Sequence, residues 1–109
     1  MSDIFLSYSR KDFNKVKAIK DELERELGVS CWMDLEGIDY TSPVFVEVLI
    51  KAINESPVFC FMLSANSQVS EYALSEIAHA KDKDKPMFLL NIDKCKLTEK
   101  FAFMYRFYN

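Results

Sequence analysis

Tyr72, Glu76 and His79 are separated by four and three residues, the spacing that aligns side chains along one face of a helix. A carboxylate in the middle of such a row can stabilise a developing positive charge, and an aromatic ring one turn away offers a face for stacking. Ala73, Ile77 and Ala80 occupy the adjacent face and point toward a sheet, so Glu76 is expected at the edge of a cleft. Spacing alone does not make it functional, because a helical glutamate is most often simply solvated. His79 is of a type that shuttles protons, but a surface histidine near a helix end is the commoner case.

Two other stretches combine hydroxyls and amides: Ser7–Asp12 and Ser64–Ser70. Each follows a short apolar run and leads into a helical pattern, and helix N-termini favour anions. In a parallel sheet ordered 2-1-3-4-5, ligands enter beyond the carboxyl ends of strands one and three, where the winding reverses. These two loops are the lips of that crevice, and a phosphorylated ligand suits them.

The elements that carry these residues follow from periodicity. Ile4, Phe5 and Leu6 open the first strand. From Phe13 on, Val16, Ile19, Leu23 and Leu27 recur at helical spacing, and Gly28 stands where a helix C-cap belongs. Val29–Met33 is the second strand, and Asp34–Gly37 begins a loop. Thr41-Ser42-Pro43 supplies a capping hydroxyl and a first-turn proline for the next helix, over Val44–Asn54. Pro57–Leu63, Val69–Lys81 and Met87–Ile92 continue the alternation as strand, helix and strand, and the aromatic-rich Phe101–Tyr108 reads as an edge strand. Strands alternating with helices imply an α/β fold whose parallel sheet is covered on both faces. The helix over Val44–Asn54 has an unusually wide apolar arc: Phe45, Val46, Val48, Leu49, Ile50, Ala52 and Ile53 span roughly 200°. Either neighbouring segments cover Val46, Ile50 and Ile53, or the arc is a partner surface.

Composition removes several classes. The chain has 109 residues, half of them apolar, which suits one domain with a real core. Net charge is −3, with 14 basic and 17 acidic residues intermixed, so no basic stripe exists for nucleic acid. Cys31, Cys60 and Cys95 are too widely spaced for a metal cluster and odd in number, which fits reduced thiols and gives no metal site. Apolar runs are too short to span a membrane and no signal core opens the chain, so a cytoplasmic location is expected. The only glycines, Gly28 and Gly37, cannot form the glycine-rich turn of a dinucleotide oxidoreductase or a P-loop nucleotidase. A phospho-acceptor receiver domain needs an aspartate at the end of the third strand, where this chain has Leu63-Ser64.

Three motifs, in order, carry a resemblance. Asp3-Ile-Phe-Leu-Ser-Tyr-Ser-Arg-Lys-Asp12 resembles the first box of TIR (Toll/interleukin receptor) domains, a short strand ending in Ser-x-Ser with an acidic residue after it. Val29-Ser-Cys-Trp-Met-Asp-Leu-Glu-Gly-Ile38 resembles their second strand and its loop. Ser70-Glu-Tyr-Ala-Leu-Ser-Glu-Ile77 is similar to their Ser-x-Trp-Cys-x-x-Glu-Leu signature. The resemblance implies a flavodoxin-like three-layer fold with a five-stranded parallel sheet ordered 2-1-3-4-5. It also implies a single domain over residues 1–109 that ends before a last helix.

For function, the resemblance implies NAD⁺ glycohydrolase activity of the bacterial type, releasing nicotinamide to give ADP-ribose or a cyclic isomer. NAD⁺ is then the substrate and no further cofactor is needed. The signature glutamate maps onto Glu76 as the catalytic carboxylate. Ser9 and Arg10 are expected near the dinucleotide, Asp34 at the border of the loop after the second strand, and Tyr72 at the aromatic position. The family further implies an effector role in immune or anti-phage defence, activated by self-association through the loop Asp34–Pro43 and the helix Val44–Asn54. The other family behaviour, a non-enzymatic adaptor acting through TIR–TIR contacts, is the alternative. Two positions depart from the pattern: Tyr72 replaces the commoner Trp and keeps an aromatic face, and Ser42 stands where Gly is frequent.

Overall fold

The structure, a computed structural model, describes residues 2–34 and 43–104. Strand β1 (Ile4–Ser7) is followed by a 3₁₀ turn (Arg10–Asp12) and helix α1 (Phe13–Leu27). Gly28 ends α1 in the left-handed conformation, φ +65°, with its N–H bonded to Glu24 O at 3.1 Å. This is the cap that glycine alone adopts without steric cost. Strand β2 (Cys31–Trp32), helix α2 (Pro43–Glu55), strand β3 (Val58–Leu63), helix α3 (Glu71–Asp82), strand β4 (Met87–Asn91) and helix α4 (Glu99–Met104) complete the order. The proposed cap of α2 at Thr41-Ser42 and the departure at Ser42 lie outside the described residues. No helix among the described residues is long and apolar enough to cross a membrane.

The sheet is parallel and ordered β2-β1-β3-β4. Ile4 to Ser7 pair in register with Val58 to Phe61, and Phe59 to Leu63 with Met87 to Asn91. The period of two along each strand divides the core into two. Phe5, Phe59, Phe61 and Leu63 face α2 and α3, where they meet Phe45, Leu49, Ile53, Ala73, Ile77 and Ala80. Leu6, Cys60 and Met62 face α1 and meet Val16. On the first face Trp32, Phe5 and Phe59 stack in a row, with ring centroids 4.9 and 5.5 Å apart. Beyond β3 the α1 side thins out, leaving Phe88 59% exposed.

The α/β class and the order 2-1-3-4 hold, but the fifth strand expected over Phe101–Tyr108 is not among the described residues. Its first part is instead the helix α4. The Thr98 hydroxyl accepts from Phe101 N at 3.0 Å, and Ala102 N bonds Thr98 O at 2.9 Å, which starts a helical turn. The turn drives Phe101 into the core against Phe61, ring centroids 5.5 Å apart, while Phe103 stays exposed. Burying one aromatic and capping the backbone outweighs the β preference of the stretch. The remainder, residues 105–109, lies outside the described part.

Candidate active site

Helix α3 begins where the sequence provides a cap. The Ser70 hydroxyl accepts from Ala73 N at 3.3 Å, and Glu71 sits in the first turn, where the helix dipole favours a negative charge. From that start Ala73, Ile77 and Ala80 fall on the sheet and are fully buried, as their spacing predicts. Tyr72, Glu76 and His79 therefore run along the flank facing α2. With Val46, Leu49, Ile50 and Ile53 of α2 they line a cleft of about 330 Å³. The wide apolar arc of α2 is thus shared: Phe45, Leu49 and Ile53 are buried, and Val46 and Ile50 form a wall of the cleft. Val44 and Val48 remain on the outside.

Among the described residues Glu76 is the one ionisable carboxyl of that lining. Ser7, at the end of β1, lies on the same strand face as Phe5, and its Oγ donates to Glu76 Oε1 at 2.7 Å. Ser7 is fully buried, and Ala73 beside it is small enough for α3 to close on the end of β1. Burial pushes the Glu76 carboxyl up to about 8 from an ordinary 4.5; the Ser7 hydrogen bond lowers it and the Asp34 charge raises it further. Some of the residue's surface remains open to the cleft, yet protein atoms surround its carboxyl closely enough to strip most of its water.

The other predicted residues form a second group. Asp34, just past β2, is buried and ion-paired with Arg10 of the 3₁₀ turn, and Tyr8 Oη donates to the Asp34 carbonyl at 2.6 Å. Ser9 is the cap of that turn, its hydroxyl accepting from Lys11 N at 3.3 Å. Tyr72 and Glu76 therefore share a cleft, while Ser9, Arg10 and Asp34 do not line it. Asp34 stays close enough for its charge to act on Glu76.

The two hydroxyl-rich loops are bonded to each other. Asp12 accepts from Ser64 Oγ through one oxygen and from Asn66 Nδ2, at 2.9 Å, through the other. These side chains thus hold together the loops that follow β1 and β3. Sequence reasoning missed this staple, and it counted Ser7 only as part of a polar loop. The signal for Ser7 was present, since alternation from Phe5 puts it on the α3 face. His79 Nε2 meets Asn54 Oδ1 at 2.9 Å, and Lys85 Nζ donates to Asn54 O at 2.7 Å, pinning the end of α2 to α3. Among the described residues no group of three or more His, Cys, Asp or Glu side chains could hold a metal ion.

Comparison with known proteins gives the same picture. The TIR domain family profile matches residues 4–106. Among solved structures, the TIR domain of the Toll-related receptor TRR-2 from Hydra magnipapillata superposes with a TM-score of 0.75 at 14% identity, covering 95% of this chain and 81% of that one. The TIR domains of the activated Roq1 resistosome, which directly recognises the pathogen effector XopQ, give a TM-score of 0.62 at 25% identity. That alignment covers 82% of this chain and 56% of the other. No curated protein sequence matches significantly. With the profile spanning nearly all of the sheet and its helices, and with the sheet order of that fold, the chain belongs to the TIR domain family.

Proposed function

We propose that this TIR domain is an NAD⁺ glycohydrolase in which Glu76 is the catalytic carboxylate, releasing nicotinamide to give ADP-ribose or a cyclic isomer. The observation that carries this reading is a carboxyl held by a hydroxyl at 2.7 Å, raised to about 8, and lining a largely apolar cleft beside an aromatic ring. Perturbed carboxyls in clefts are where acid–base and charge-stabilising chemistry concentrates.

The chemistry needs only one carboxyl. When the bond from ribose C1′ to the nicotinamide nitrogen breaks, its electron pair neutralises the pyridinium, so the leaving group needs no proton, unlike that of an ordinary glycosidase. Positive charge moves to the ribose, where the Glu76 carboxylate stabilises it and accepts hydrogen bonds from the ribose hydroxyls. In the ligand-free domain Glu76 holds its proton at neutral pH. A cation in the cleft favours the ionised form, so binding NAD⁺ drives that proton off. Tyr72, 44% exposed, offers the stacking face. Arg10 and Asp34 shape the neighbouring loop, and Ser9 caps its turn.

The reading includes a cytoplasmic effector role in immune or anti-phage defence, with activation by self-association through Asp34–Pro43 and Val44–Asn54. Exposed Val44 and Val48 on α2 and the Roq1 resistosome among the structural neighbours support the association. The same exposed valines favour a second reading, an adaptor that acts through TIR–TIR contacts without catalysis. Incubation of the concentrated domain with NAD⁺, followed by chromatography of nicotinamide, separates the two. Release should fall by about 10²–10³-fold in Glu76→Gln. If neither protein releases nicotinamide, even when crowded on beads, the adaptor reading stands.

A further inference from the structure

We propose that Ser7 is the positioning residue of Glu76: its hydroxyl fixes Oε1 against the end of β1 and leaves Oε2 as the oxygen that meets the ligand. This rests on the glycohydrolase reading for its consequence in catalysis, though the geometry stands without it. Among the described residues Ser7 is the only hydrogen-bond partner of the Glu76 side chain. Ser7 Oγ is fully buried, 2.7 Å from Glu76 Oε1 and 3.5 Å from the Ala73 carbonyl oxygen. The surrounding core is apolar: Phe5 precedes it on the strand face, and Ala73 and Ile77 flank Glu76 on the helix. A hydroxyl placed between a carboxyl and a carbonyl can serve both charge states of the carboxyl. With Glu76 ionised, the Ser7 proton points at Oε1. With Glu76 protonated on Oε1, the carboxyl donates to Ser7 Oγ and the serine proton turns to Ala73 O. When the carboxyl loses its proton to water in the cleft, the serine turns back, so Ser7 Oγ and Glu76 Oε1 stay paired in either state.

Among the described residues, Ser7 therefore does for Glu76 what no other group in reach does. The charged and titratable neighbours are Asp34 at the end of β2, whose charge opposes ionisation, with Arg10 paired to it, and Tyr72 and His79 on α3 itself. His79 is bonded to Asn54, and α2 contributes only apolar side chains to the cleft. The Ser7 bond is the one cause that lowers the Glu76 value against burial. Removing it leaves a carboxyl that ionises later and points less narrowly.

The test uses the whole chain with Ser7→Ala and Ser7→Cys, the second a weaker donor of nearly the same volume, so that a packing failure in one leaves the other to be read. Carboxyl ¹³C NMR, with Glu76→Gln identifying the resonance, should show the Glu76 midpoint rising by about one unit, a tenfold change in proton affinity. Nicotinamide release should drop about tenfold in kcat/KM at pH 7 and recover toward wild type by pH 9. An unchanged midpoint in folded variants overturns the proposal, as does a loss of activity equal at every pH. If the wild type releases no nicotinamide, the glycohydrolase reading fails, while the NMR titration still decides the role of Ser7.

Discussion

Glu76 and Asp34 are two carboxyls withdrawn from water within one small domain, and they are answered differently. Asp34 faces a guanidinium, and Tyr8 holds its backbone carbonyl as well. Glu76 faces one serine hydroxyl in an apolar setting. A cationic partner lets a buried carboxylate keep its charge and makes it part of the scaffold, as far as desolvation allows. A hydroxyl returns less than burial takes away, so the carboxyl is left with a weak hold on its charge. The partner, more than the depth of burial, separates a carboxylate held by a cation from a carboxyl that burial raises.

The largest effect that sharpens this contrast is one of stability. Folded Glu76 titrates near 8 against an ordinary 4.5, so between those values the folded state holds a proton that the unfolded chain has lost. The stability of the protonated form is therefore full below about 4.5 and lost as pH rises through about 8. Glutamine does not titrate. Urea unfolding at pH 9 should find Glu76→Gln more stable than wild type by on the order of 4 kcal/mol, with the gap shrinking toward pH 4.5. A gap that does not change with pH would mean that burial does not raise the Glu76 carboxyl.

Arg10→Ala should do the reverse. It leaves Asp34 buried without its guanidinium, and because Arg10 is itself about one-third exposed, the cost should be about 2 kcal/mol, readable as a lower urea midpoint at pH 7. A variant as stable as wild type would break the comparison from the Asp34 side.

The smallest effect concerns the ligand side of the same cleft. If Tyr72 stacks on nicotinamide while Glu76 handles charge, Tyr72→Ala should raise the KM for NAD⁺ about tenfold, and Tyr72→Phe should change it little. Equal losses in both variants would instead assign a role to the hydroxyl.

Periodicity located much of this. Helix α1 begins at Phe13 and closes at Gly28 as read, and the buried row Ala73, Ile77, Ala80 follows from spacing that depends on nothing distant. The last segment misled because its aromatics favour a strand in isolation, while Phe61, forty residues earlier, offers Phe101 a place that only a helical turn at Thr98 reaches. The contact between the crevice loops was hidden for a similar reason: Asp12, fifty-two residues from Ser64, accepts from both Ser64 and Asn66.

The sequence by itself determined the alternation of strands and helices, the family, and a helical face on which Tyr72 and Glu76 lie together, because these depend on neighbours a few residues apart. Only the tertiary structure decided which polar groups meet. It brought Ser7 to Glu76 across 69 residues, turned Arg10 to Asp34 across 24, and made half of an apolar helix face into the wall of a cleft. Whether a carboxyl is solvated, paired or held protonated depends on what packs around it, and that is fixed only when distant segments close on one another.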